Sequence, residues 1–563
     1  MLALAIAKTQ TTPLQARQPP CFRGLNVWQR QCIPTCVMPD KPPINPWLIA
    51  LTVTLATFME VLDTSITNVA LPHIAGALSA SQDESTWVIS SYLVSNAIIL
   101  PISAYLTTLI GRKRFYMICV ALFGASSLLC GLAPTLPLLL FFRVLQGAGG
   151  GGLGPSEQAI LADTFPPEKR GQAFALYGVA VVIAPTIGPT IGGWITDNFD
   201  WRWIFFINIP VAILSLFLTN RLIEDTPAIK REVAEAKKGH FRFDLLGFGL
   251  VALTFGSLEV VLDKGQEDDW FGSSFIVTFT ALCVIGLVGF IAWELWLVRN
   301  KQRPVLDLRL FKNINLTVSF MLMFLVGLVL YASLTLLPQL LQNYMGYTAE
   351  LSGLAISTGG LTTLVLMPVV GLLIGKMDAR YLVVFGFFII GLALYYSTGI
   401  NLQMSFAYVS YLRAFQCVGL AFLFVPVNTL SYVGTTPEQS NDVSGLTNLA
   451  RNVGGSVGTS FFTTTLSRHQ QVHQHYLIRH ATDGNAGYLA RIQALTNQAL
   501  GTVASQTDAQ HQALMQFYQT VQKQAAILSF IDILSILALL AFIAIPLPLL
   551  LKRPEAGAAV QGH

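Results

Sequence analysis

Two carboxylates sit in an apolar stretch of the chain, where a charge is costly. The segment "MEVLDTSITNVALP" (residues 59–72) carries Glu60 and Asp63 and no Lys or Arg. Three residues apart, they share one side of a helix. Removal from water and a like charge nearby both favour the protonated form of a carboxyl. Such a pair is suited to take up and give back a proton, and ionisable groups inside apolar spans mark functional sites by default. Arg143, in "FFRVLQGAGGGG" (141–152), is a fixed cation in another apolar stretch. At matching depth it meets Asp63, and the expectation is one polar network of Arg143, Asp63 and Glu60 in which proton and substrate compete. The bland alternative is a structural tie, with Glu60 facing water.

Other constellations are excluded. No Walker sequence is present: "GLLIGKM" (371–377) has too few residues between its glycines and lacks the hydroxyl. No H-E-x-x-H occurs, and the one G-x-S-x-G, "GGSVG" (454–458), lies in an apolar helical stretch rather than at a strand–turn–helix. The chain therefore reads as no enzyme, with no cofactor, no nucleic-acid partner and an ion gradient as its energy source. His469, His473, His475 and His480 invite a metal reading, and the spacing of four between the first two suits a helix face. No Cys or ordered carboxylate set accompanies them, so they read as solvated loop residues and no metal is assigned. Among further charges within apolar spans, Glu157 is placed to attract cations arriving from the cytoplasm. Arg451, Glu259, Glu294 and Asp532 read as interface positions or fixed pairs.

The elements that must hold these groups are membrane helices. The chain is 53% hydrophobic and 11% charged, with mean hydropathy +0.58, against about 25% charged for a soluble chain. Apolar runs of spanning length recur along it, about 14 in all. They lie near 47–71, 87–110, 115–134, 136–162, 172–196, 203–221, 244–262, 274–297, 316–341, 350–374, 381–400, 405–433, 443–466 and 525–550. Runs this long and continuous are helices, which makes the fold all-α. Lys and Arg are distributed 20 to six between the two sets of loops, so both termini are expected in the cytoplasm.

The expected organisation is a cytoplasmic segment (1–46), a six-helix half (47–221), a connector with two extra helices (222–315) and a second six-helix half (316–551). That second half carries a long periplasmic loop (467–524), and a short tail (552–563) follows. Met38 opens a short polar lead into the first span and is a candidate start, which would make 1–37 an extension. The seven cysteines suggest no disulfide framework.

The two halves are related. "FFRVLQGAG" (141–149) matches "YLRAFQCVG" (411–419) at an offset of 270, which pairs Arg143 with Arg413 and Gln146 with Gln416. The same offset carries Pro167-Glu168 onto Pro437-Glu438 and Gly188 onto Gly458. Arg413, Gln416 and Arg451 then form a second-half polar site. Parallel halves of this kind are a transporter architecture with its substrate site at the midplane between them.

The stretch "VIAPTIGPTIGGW" (182–194) is apolar yet holds Pro185 and Pro189 beside Gly188, Gly192 and Gly193. Ala184, Gly188 and Gly192 recur every four residues as one small-residue stripe. Such faces let membrane helices approach closely, while neighbouring groups can satisfy the carbonyls that proline frees.

Together these motifs resemble the 14-span drug:proton antiporters of the major facilitator superfamily, EmrB type. "LDTSITNVALP" (62–72) resembles the first-span signature, "FFRVLQGAGGGG" the fourth-span motif and "APTIGPTIGGW" (184–194) the antiporter motif. "WRWIFFINIP" (201–210) and "LLPQLLQNYMGYTA" (336–349) are also similar. The resemblance implies export of hydrophobic, often cationic, compounds in exchange for protons, with a periplasmic adaptor and an outer-membrane channel as partners. It implies a coupling role for Asp63 and Arg143. The superfamily's loop motif survives only in part, as Gly111, Arg112 and Lys113, with Thr108 at its acidic position; Asp378 and Arg380 lie in the matching loop of the second half. The alternatives are a dedicated exporter of one metabolite, such as a siderophore or fatty acid, and a transporter-like membrane sensor.

Overall fold

A computed structural model describes residues 45–552, apart from 227–228, 232, 235–243, 301, 303, 437–438, 483 and 502–504. Cys21, Cys32, Cys36, Met38, Pro437, Glu438, most of the charged connector and nearly all of the tail lie outside the described residues. Among the described residues no strand occurs.

The helices of the first half are α1 (Pro46–Ala77), α2 (Gln82–Ile110), α3 (Arg112–Leu132), α4 (Leu136–Gly150), α5 (Leu153–Thr164), α6 (Pro167–Asn198), α7 (Trp203–Phe206) and α8 (Asn208–Leu222). The two extra helices are α9 (Leu245–Lys264) and α10 (Ser274–Arg299). The second half comprises α11 (Ile314–Gln339), α12 (Ala349–Ile374), α13 (Ala379–Ser397), α14 (Phe406–Ser431), α15 (Ser440–Ile478), α16 (Ala486–Ala499) and α17 (Gln506–Ala544).

Local chemistry sets the ends of these helices. Asn45 caps α1 ahead of Pro46, a proline where its missing N–H costs nothing. Ser81 and Glu84 form a capping box on α2. The fourth expected span is broken in two at Gly151-Gly152, between α4 and α5. Among the described residues, thirteen helical segments are long and apolar enough to cross a membrane. α15 is long enough but too rich in polar residues along its length to be among them.

The expected periplasmic loop 467–524 is largely helical. α15 and α17 each run for 39 residues, about 58 Å at the rise of an α-helix, or roughly twice the hydrocarbon core of a bilayer. Their outer turns project beyond the apolar spans, and α16 packs on α17 through Tyr488 and Phe517, with rings 5.2 Å apart. The segment contains no proline, so nothing stops the helices where the apolar residues end.

In the first half α1 packs on α6 and α4 on α2 and α3; in the second α11 packs on α15 and α14 on α12 and α13; α6 lies between α1 and α12, so it joins the halves. α9 packs on α2 and α15, whereas α10 is mostly outward-facing.

Candidate functional site

α1 and α4 bring Asp63 and Arg143 together in the interior. Arg143 Nη1 donates to Asp63 Oδ2 at 2.6 Å, and Asp63 Oδ1 accepts from Gln146 Nε2 at 2.9 Å and Asn208 Nδ2 at 2.7 Å. Arg143 also donates from Nε to the Val88 carbonyl at 3.0 Å and from Nη1 to Gln146 Oε1 at 2.8 Å, while its Nη2 has no partner among the described residues. The Tyr92 ring lies 4.4 Å from the guanidinium carbon. The side chains are 0% and 1% exposed. A buried pair persists only if its remaining lone pairs are also satisfied, and both carboxylate oxygens are.

Glu60 is not part of that contact. It accepts from Tyr92 Oη at 3.0 Å and Asn96 Nδ2 at 3.3 Å. Tyr92 therefore stands between the two sites, with its ring on Arg143 and its hydroxyl on Glu60. The expected single network is divided because three residues along a helix leave the side chains about 60° apart. Asp63 turns toward α4 and Glu60 toward a cavity.

That cavity, of about 390 Å³, lies among α1, α2, α9, α11 and α15 and is lined by Glu60, Tyr92, Asn96, Glu259, Tyr331 and Arg451. Glu259, read from sequence as an interface charge, accepts from Ser456 Oγ at 2.9 Å and faces the cavity. Asp263, one turn further along α9, takes a hydrogen bond from Ser90. Sequence reasoning missed this acidic face of an extra helix. The signal available was the spacing of four between Glu259 and Asp263 in an otherwise apolar helix.

The expected second-half polar site is divided too. Arg451 donates to Tyr177 Oη at 2.6 Å and lines the central cavity. Arg413 and Gln416 lie apart from it, beside a smaller apolar pocket. Arg413 donates to Gln416 Oε1 at 2.8 Å, and Gln416 donates to Ser333 Oγ at 2.6 Å. The offset of 270 that carries Arg143 onto Arg413 carries Asp63 onto Ser333, so the second half keeps the arginine and glutamine without the acid. Among the described residues, Nε and Nη2 of Arg413 have no partner.

α6 shows how the proline stretch is used. Pro189 has no N–H to bond the carbonyl of Pro185, and Ser65 Oγ on α1 donates to that carbonyl at 3.1 Å. A Cβ on Gly188 would stand 2.3 Å from Ser65 Oγ, which fixes glycine there. Gly192 touches Ile66 and Ala184 is buried, but Gly193 has nothing within 4 Å of its Cβ position and takes no part in close packing. The other face of α6 meets α12, where Gly353 lies against Thr190 and Gly360 against Thr186.

At the cavity end nearest the Lys- and Arg-rich loops, the halves are tied directly. Gln158 Nε2 donates to Asn428 Oδ1 at 3.2 Å, Thr447 Oγ1 to Gln158 Oε1 at 3.3 Å and Tyr177 Oη to Asn448 Oδ1 at 2.9 Å. Gln158 and Asn428 are 270 apart, so equivalent positions touch each other, as residues on a two-fold axis do. Glu157, expected to draw in cations, is 0% exposed and accepts from Thr54 at 2.6 Å. The fold seals it because it points from α5 into α1 rather than toward the loops.

In the first-half loop, Gly111 has φ +95°, which a side chain would strain. Arg112 pairs with Asp163 at 2.6 Å, and the Lys113 amide donates to Asp225 at 2.8 Å. Asp163 on α5 thus supplies the acid that Thr108 does not. Asp378 and Arg380 pair locally at 2.6 Å, and Arg380 also holds the Leu551 carbonyl. The histidines are corrected as well. His469 and His473 lie on α15, and each ring contacts Asp532 of α17 at 2.7 Å. A carboxylate 59 residues away in sequence was invisible to a local search.

Residues 53–459 match the Major Facilitator Superfamily. The chain is 38% identical over 432 residues to the "Probable multidrug resistance protein EmrY" of Escherichia coli K12, which covers 77% of this chain and 82% of that one. It is 35% identical over 476 residues to the "Multidrug export protein EmrB" of the same strain, covering 83% and 91%. In fold it is similar to the proton:xylose symporter XylE, with TM-score 0.51 at 15% identity over 86% of this chain and 94% of that one.

Proposed function

The chain belongs to the major facilitator superfamily, and from that premise we propose that it exports hydrophobic and amphipathic drugs across the bacterial inner membrane in exchange for protons. The observation that carries this reading is the sealed Asp63–Arg143 pair beside a cavity that holds a second carboxylate, Glu60, with Tyr92 touching both. The names of similar proteins support it: EmrB is a multidrug export protein and EmrY a probable multidrug resistance protein.

In this mechanism the cavity between the halves receives substrate. Its aromatic and aliphatic walls bind apolar surface, while Glu60 and Glu259 attract positive charge. Protonation of the Asp63 carboxylate removes the anion that holds Arg143. The guanidinium then shifts against Tyr92, and the hydrogen bond from Tyr92 to Glu60 passes that movement to the cavity. Proton and cargo thereby compete through Tyr92 rather than for one carboxylate. The close contact of α6 with α12 is the surface along which the halves rock, with α1 held to α6 on its other side. The cross-half ties at Gln158, Asn428, Tyr177 and Asn448 close the cytoplasmic end.

Both termini lie in the cytoplasm on this reading, which the asymmetry of Lys and Arg supports. The projecting ends of α15 and α17, with α16, form the surface offered to a periplasmic adaptor that joins an outer-membrane channel. The deciding experiment reconstitutes the chain in proteoliposomes and follows proton release when drugs are added. Proton movement that Asp63→Asn abolishes is expected. Drug transport without proton movement would refute the coupling.

A further inference from the structure

We propose that His469, His473 and Asp532 form a binding site for a divalent transition-metal ion, with zinc as the fitting case, that clamps α15 to α17 at the base of the extension. This site is separate from the central cavity and rests on different residues.

The geometry comes from two helices. His469 and His473 are one turn apart on α15, so their rings emerge from the same face. Asp532 faces them from α17. His469 Nδ1 and His473 Nε2 each lie 2.7 Å from the same carboxylate oxygen, Oδ2, and three ligand atoms, one from each residue, fall within 4.8 Å of one another. Two imidazole nitrogens and one carboxylate oxygen are a borderline donor set, the kind zinc takes, and three protein ligands leave a fourth position for water. Calcium and magnesium require more oxygen donors than this set offers. Zinc–ligand bonds of about 2.0–2.2 Å put ligand atoms about 3.3 Å apart in a tetrahedral site. The two nitrogen–oxygen contacts of 2.7 Å need to open by about 0.6 Å to reach that spacing, which side-chain rotation supplies.

The site is reachable. The three side chains are 41%, 26% and 36% exposed. The neighbouring polar groups are already engaged elsewhere: Gln470 accepts from Tyr344, and Gln474 donates to Tyr518. The competing account is a fixed tie in which the two imidazoles serve only as partners for the carboxylate of Asp532. That account predicts no metal affinity.

The test uses the full chain, purified in detergent, stripped with a chelator and titrated with zinc chloride by calorimetry. Melting temperature is followed in parallel. One equivalent of zinc is expected to bind and to raise the melting temperature. His469→Gln, His473→Gln and Asp532→Asn should each weaken binding by about tenfold or more, whereas His475→Gln and His480→Gln should not. Magnesium should neither bind nor compete. Each ligand is replaced singly and helicity is checked by circular dichroism, so one misfolded variant does not remove the test. No zinc binding by the folded wild-type chain, or equal binding by the folded His469→Gln and His473→Gln variants, would overturn the proposal.

Discussion

Arg143 holds Asp63 at 2.6 Å inside the first half, and the equivalent Arg413 of the second half faces Ser333 through Gln416 instead. The two halves share a backbone plan, and at this pair of positions the second half lacks the acid. An arginine whose carboxylate partner can be protonated is able to change its partnership with pH. An arginine held by an amide that is itself bonded to a hydroxyl cannot. In the proposed mechanism, proton chemistry falls to the first half and the second half serves as the frame against which it moves.

Asp63→Asn should abolish drug-driven proton release in proteoliposomes while preserving insertion and expression. The amide keeps the shape of the carboxylate and can still meet Gln146 and Asn208, but it leaves Arg143 buried without a counter-charge. Breaking a buried pair in this way costs about 3–5 kcal/mol, so a lower melting temperature should accompany the loss. Full coupling in Asp63→Asn would refute the role given to the pair.

Arg413→Met should be tolerated where Arg143→Met is not. Arg413 lines an apolar pocket and leaves two nitrogens without partners, and exchanging a poorly compensated buried charge for an apolar side chain is often neutral or stabilising. Transport by Arg413→Met should stay within about threefold of wild type. An equal loss in both variants, measured as drug efflux from cells, would mean that the second arginine works as the first does.

Gly188→Ala and Gly193→Ala should separate close packing from composition. A methyl on Gly188 meets Ser65 Oγ at 2.3 Å and its Cβ at 2.5 Å, and overpacking of this kind costs about 1–3 kcal/mol. The added bulk should also push α1 from α6 and slow transport. Gly193→Ala meets nothing and should be silent in both melting temperature and transport rate.

Glu259→Gln should weaken transport of cationic drugs more than of neutral ones. Its carboxylate faces the central cavity from α9, and loss of about 1.4 kcal/mol of attraction corresponds to a tenfold weaker apparent affinity. Efflux rates for a cationic and a neutral substrate of similar size, compared across concentrations, will read the difference. An equal effect on both would make Glu259 a structural partner of Ser456 alone.

The sequence by itself determined the membrane class, the helical spans, the two related halves and the presence of two charges, Asp63 and Arg143, inside apolar spans. Those properties are written in local composition: a run of apolar residues has one way to satisfy its backbone in lipid, and a charge inside such a run must have a reason. It also identified the proline and glycine stretch, because proline and glycine act on their own backbone. Only the tertiary structure decided which groups meet. Glu60 parts from Asp63 because helical rotation aims them at different neighbours, and Arg451 parts from Arg413 because α15 and α14 present different faces. Gly193 turns out to be open although it adjoins Gly192. Glu259 enters the cavity, and Asp532 reaches His469 and His473, by packing between helices far apart in sequence. Such contacts depend on the rotation of one helix against another, and that rotation is set by the sum of all side chains in the interface rather than by any motif within either helix.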